Sequence, residues 1–145
     1  MPLIDFATAV KPELLYPSAA YPAAKYDPDA SLNYAFDARG SYAAVIVVNA
    51  AQFTSSATLT LKIQESDDGS TWTDIPDGSF PVIAASPSGD QVASNAMYFS
   101  RVNFVHKKRY IGLEGIVATA RATFGVTALL LSYDTRNNTT PSVVV

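Results

Sequence analysis

The sequence predicts an all-β protein: an antiparallel β-sandwich of jelly-roll type. Three observations carry that expectation. From Leu32 onward apolar residues recur at every second position, the period of a strand with one wet face. Turn-forming clusters ("DARGS", "SDDGS", "PDGS" and "SPSGD") separate these runs. No segment sustains a helical period, and one short helical turn near residues 5–15 is the only helix expected. Many short strands with regular turns suit two packed sheets.

The elements follow in chain order. Residues 1–30 differ from the rest, because "KPELLYPSAAYPAAKYDPDA" interleaves Pro12, Pro17, Pro22 and Pro28 with Tyr16, Tyr21 and Tyr26. Each proline removes an amide donor and drives the preceding residue out of the helical region. The expectation is an extended N-terminal arm that leaves its own sheet and lays Leu14, Leu15, Tyr16, Tyr21 and Tyr26 on another surface. "SLNYAFD" places Leu32, Tyr34 and Phe36 on one face. "YAAVIVVNA" (42–50) is nearly all apolar and predicts a central strand covered on both sides. "ATLTLKIQE" alternates cleanly, with Ala57, Leu59, Leu61 and Ile63 inward. Shorter strands are expected at 71–75, 79–84 and 98–104. "RYIGLEGIVA" (109–118) turns Ile111, Leu113 and Val117 inward, and "RATFGVTALLLSYD" (121–134) closes the sandwich with a bend or bulge at Gly125. The sandwich domain thus spans 31–134, and 135–145 form a short C-terminal tail, where Asn137 and Asn138 head formal glycosylation sequons.

Bulk composition narrows the function classes. A chain of 145 residues with 48% hydrophobic and 16% charged content buries one ordinary core. A net charge of −3 gives no general pull toward nucleic acid. Zero cysteines leave neither disulfides nor thiolate chemistry. The first residues lack the charged and apolar regions of a secretory signal, and no apolar run reaches the ~20 residues that span a bilayer. The expectation is a soluble chain made without export, with neither membrane nor nucleic acid as partner.

"QESDDGSTWTDIPDG" (64–78) gathers acidic residues, turn formers and the single tryptophan. Asp67, Asp68 and Asp74 raise a cation site, but calcium wants six to eight oxygens and the spacing of a calcium loop is missing. The stretch is similar to the aspartate-box turns of propeller glycosidases and to the hairpins of discoidin-like sugar binders, where the motif is a fold element. The reading is a tight Asp-Gly hairpin, with Ser66 and Asp67 capping nearby amides and Trp72 folded back over it. No cofactor or metal is expected.

Catalysis has no constellation to rest on. His106, the sole histidine, sits among Lys107, Lys108 and Arg109 on a wet turn, and Glu65 and Glu114 stand on different strands. No phosphate loop, HExxH or GxSxG occurs.

The succession of an amphipathic strand, "QESDDGSTWTDIPDGSF", a polar loop, "KKRYIGLEGIVA" and a final apolar strand resembles small virion proteins of tailed bacteriophages, specifically head-decoration or cement proteins. The resemblance covers residues 31–134. It implies a jelly-roll-like body made in the host cytoplasm and carried on the outer surface of an icosahedral head. There it would bind the major capsid protein and copies of itself, as a trimer or another homo-oligomer, with no catalytic residues. The expected capsid-binding residues are Leu14, Leu15, Tyr16, Tyr21, Tyr26, Lys107, Lys108 and Arg109. Two other readings stay open: a carbohydrate-binding module using Trp72, Tyr98 and Tyr110, and a tail or baseplate component.

Overall fold

The structure, a computed structural model, describes residues 9–54, 56–85 and 96–132. These residues form ten strands: β1 (Val10–Tyr21), β2 (Ala24–Tyr26), β3 (Ala35–Asp37), β4 (Ser41–Phe53), β5 (Thr58–Ser66), β6 (Thr73–Ser79), β7 (Ile83–Ala84), β8 (Ala96–Asn103), β9 (Tyr110–Ala118) and β10 (Ala122–Ser132). One sheet runs β1-β10-β4-β8; the other runs β2-β9-β5-β6, with β3 also on β9 and β7 also on β5. Every pairing is antiparallel. Since β2 and β3 share one side of β9, and β6 and β7 one side of β5, each pair acts as a single interrupted strand. On that count eight strands wind between the sheets, and only the β5–β6 loop joins neighbours within one sheet. This is the jelly roll the sequence predicts.

The alternating patterns place the core between the sheets. Ala44, Ile46, Val48 and Ala50 of β4 and Phe124, Val126, Ala128 and Leu130 of β10 meet Leu59, Leu61 and Ile63 of β5 and Ile111, Leu113 and Val117 of β9. β9 has a gap in this series at Gly115, and Tyr16 fills it from the other sheet. A Cβ on Gly115 would lie 2.8 Å from the Tyr16 hydroxyl oxygen.

The N-terminal expectation needs correction. Residues 10–26 are not an arm outside the sandwich; β1 pairs with β10 from Val10↔Leu131 to Tyr21↔Ala122, and β2 pairs with β9. Proline excludes a residue from the middle of a sheet but not from its edge, where no neighbour needs the missing amide. β1 is such an edge. Its register shifts between Leu14 and Tyr16 and again between Tyr16 and Ala19, so Pro17 and Ser18 bulge opposite Gly125. A Cβ on Gly125 would sit 3.2 Å from the Ser18 Cα, the close approach behind that glycine. Of the described residues within the expected helical turn, Ala9 is helical and Val10–Leu15 are strand.

Smaller differences have local causes. Residues 31–34 turn instead of forming strand, because Leu32 and Tyr34 take positive φ (60° and 58°). The Asp29 carboxylate holds that turn, accepting from the Ser31 and Asn33 amides at 2.9 and 3.2 Å. β4 is central within its sheet, yet only one of its faces is covered among the described residues. The tail 135–145, its sequons and the "SPSGD" turn lie outside the described residues.

Candidate interaction surfaces

The tyrosines proposed as anchors form a cluster where the chain crosses from β1 to β2. Tyr16 is 0% exposed and stacks on Tyr34 at 4.3 Å between ring centres, with Tyr21, Tyr26 and Phe124 around it. Its hydroxyl donates to the Leu113 carbonyl (2.8 Å) and reaches the Tyr26 carbonyl (3.2 Å). Burial, helped by neighbouring Tyr34 and Tyr21, pushes that hydroxyl far above the ordinary tyrosine pKa. Tyr21 and Tyr26 donate to the carbonyls of Pro17 and Pro22, each four residues back. Tyr16 and Leu15 (2% exposed) are therefore core residues and cannot be outward anchors, while Tyr21 and Tyr26 are half-buried. Leu14, 63% exposed, is the one member of the group that faces fully outward.

The basic cluster is largely neutralised. Arg109 donates to Asp37 at 2.8 Å and lies 4.6 Å over the Tyr110 ring. Lys108 pairs with Asp67 at 3.6 Å, and its amide donates to Glu65. Lys107 alone of the trio has no ion pair among the described residues.

The β5–β6 connection closes differently from a two-residue hairpin. Strand pairing stops at Glu65↔Thr73, and of the Asp-Gly pair only Gly69 takes positive φ (77°). Asp68, rather than Asp67, organises the loop. Its Oδ1 accepts from the Ser70 and Thr71 amides (2.8 Å each) and from the Ser66 hydroxyl (3.0 Å). Those donors, the Thr71 and Ser70 amides first, lower its pKa to about 2. Trp72 folds back as expected, donating to the Gly69 carbonyl (3.1 Å), and its ring packs with Pro28 over Gly112. Asp67, Asp68 and Asp74 serve three separate partners and do not converge. Trp72 and Tyr110 flank this loop, while Tyr98 packs against the core from β8, so the three share no platform.

The outer faces of the two sheets are unlike. On the six-stranded sheet Glu114, only 6% exposed, meets Lys25 at 3.0 Å and Gln64 at 3.3 Å; Gln64 also donates to Asp74, which pairs with Lys62. This network and the Trp72–Pro28 lid cover that face. On the four-stranded sheet the strand registers set Leu14, Thr127, Val47 and Phe99 in one row and Pro12, Leu129, Val45 and Arg101 in the next. Val45, Val47 and Leu129 are half-buried, and Met97 and Phe99 are 66% and 75% exposed. No described residue lies over this apolar face. It was missed because "YAAVIVVNA" promises cover on both sides of β4, whereas the described residues cover only one.

A family model, Bbp16, matches residues 30–130. The chain belongs to the Bbp16 family. No curated protein matches the sequence. Among solved structures, the Bbp16-family chain is similar to VP2 in a subviral particle of infectious bursal disease virus (TM-score 0.51, 11% identity), with 89% of this chain aligned to 33% of that one. Two further likenesses are YomS, a SPBc2 prophage-derived protein (TM-score 0.48, 11% identity, 85% of this chain and 93% of that one), and the PBSX exported protein XepA (0.46, 17%, 99% and 45%). At such identities the VP2 likeness concerns the fold, and it agrees with the jelly-roll winding above.

Proposed function

We propose that this protein is a structural virion component of a tailed bacteriophage. It attaches to the outside of the head and ties adjoining major capsid subunits together, without catalysis. The observation that carries this reading is the one-sided jelly roll: among the described residues one outer face is closed by side chains and the other is bare and apolar. The largest apolar patch on a soluble monomer is often a functional surface. The likeness of residues 31–134 to head-decoration proteins supports the identity of the partner. The fold shared with VP2 of a subviral particle is an analogy in the same direction.

Magnitudes say how the attachment works. Four strands roughly 4.8 Å apart, over about 20 Å of β4, offer roughly 300 Å². A standard interface buries about 800 Å² on each partner. The sheet face is thus a centre of contact that further contacts must extend, and contacts to two capsid subunits at once make the second effectively intramolecular.

The reading is tested by co-sedimentation with purified heads from which the protein has been removed. The full chain is expected to pellet with heads, whereas Val47→Glu/Leu129→Glu, placed on the outward row and folded by circular dichroism, is expected to stay in the supernatant. Full binding by that variant would refute the sheet-face attachment.

A further inference from the structure

Four edges terminate the two sheets, and three of them are protected against pairing with another chain. β1 carries Pro12, Pro17 and two register shifts. The β2/β3 edge consists of two three-residue pieces separated by a turn. The β6/β7 edge carries Pro76, a register shift and a strand of only two residues. Prolines, bulges and short strands are the usual devices that keep sheet edges from recruiting strands. β8 has none of them. It pairs with β4 without a shift from Ala43↔Asn103 to Ala50↔Ala96, contains no proline, and has no partner on its other side among the described residues.

What surrounds this edge is specific. Between β8 and β6 an open cleft is lined by the buried Ile63, Ile75 and Val102 and by Val105, which is exposed. Met97 and Phe99 stand outward along the first half of β8. Arg101, His106 and Lys107 gather at its far end, and neither Arg101 nor Lys107 has an ion pair among the described residues. One carboxylate, Asp77, lines the opposite wall.

We propose that the free edge of β8 receives an extended strand from another polypeptide, apolar beside Met97 and Phe99 and acidic beside Arg101 and Lys107. The incoming backbone supplies the ladder that β8 lacks, and the side chains set direction and register. Arg101 and Lys107 favour an acidic strand over a second copy of this chain, whose β8 carries no carboxylate to pair with them. The proposal concerns the β8 edge and not the sheet face proposed for head attachment, although Phe99 borders both, and it is tested on the isolated protein.

The probe is a fluorescein-labelled, capped peptide, Thr-Val-Thr-Val-Ser-Glu-Ser-Glu, added to the full chain and followed by anisotropy and amide NMR. Binding is expected to perturb the amides of residues 96–103. It should fall about fivefold for each of Arg101→Glu and Lys107→Glu, the upper end for one exposed ion pair. It should vanish when alternate peptide amides are N-methylated. No binding at millimolar peptide, undiminished binding of the N-methylated or lysine-for-glutamate peptide, or perturbation confined to residues outside β8 would each overturn the proposal. So would β8 amides already protected from exchange in the free monomer, or pairing of β8 with a second copy in sedimentation.

Discussion

Tyr16 shows how one residue fixes the course of a chain. It leaves the edge of the four-stranded sheet, crosses the core and donates to the Leu113 carbonyl of the opposite sheet, over the space that Gly115 leaves empty. Tyr16→Phe removes the hydroxyl and its contacts with the Leu113 and Tyr26 carbonyls, and should lower stability by about 1 kcal/mol. Tyr16→Ala also empties a packed site and should cost roughly 3–5 kcal/mol. Chemical denaturation checks both, and an unchanged midpoint for Tyr16→Ala would contradict the buried placement. Asp68 gives a pH signature. Its pKa is lower in the folded loop (about 2) than its ordinary value of 3.8, so the folded form binds the proton less readily. The stability it adds is present above about pH 4 and is lost as pH falls through about 2. Trp72, bonded to the same loop at Gly69, should report the loosening as a fluorescence change in that window. Asp68→Asn should abolish the acid step; an unaltered step in that variant would contradict the assignment.

At the scale of elements, the β1 edge corrects the most consequential sequence expectation. Prolines at 12 and 17 look like an excursion from the sheet, but an edge with bulges tolerates both, and one sequence cannot tell an edge from a linker. Deletion of residues 1–28 removes β1 and β2 together with Tyr16, and should therefore abolish cooperative unfolding; a deleted chain that still melts cooperatively would restore the arm. β5, β9 and the core face of β10 could be read directly, since their alternation is uninterrupted and each buries one side. The Trp72 fold-back was equally readable from its Asp-Gly context. The pairing of Arg109 with Asp37 was not, because seventy-two positions separate them and only the sheet brings β3 beside β9.

At the scale of the molecule, two identical-looking layers are chemically opposite on the outside. The six-stranded sheet satisfies its outer groups with its own ion pairs and its tryptophan lid. Among the described residues, the outer face of the four-stranded sheet carries valines, leucines and a phenylalanine with nothing over them. Sequence periodicity locates both sheets but cannot say which apolar residues of β4 and β10 find cover, since that depends on what lies across the fold. The attachment role proposed above rests on this asymmetry, and the proposed strand docking at the β8 edge would extend it. The most direct measurement is side-chain footprinting of the chain free and bound to heads. Oxidation of Leu14, Val47, Phe99 and Leu129 is expected to drop on binding while Trp72 and the Lys62 strand keep their reactivity. Protection of the six-stranded sheet instead, with the four-stranded face still reactive, would contradict the central claim.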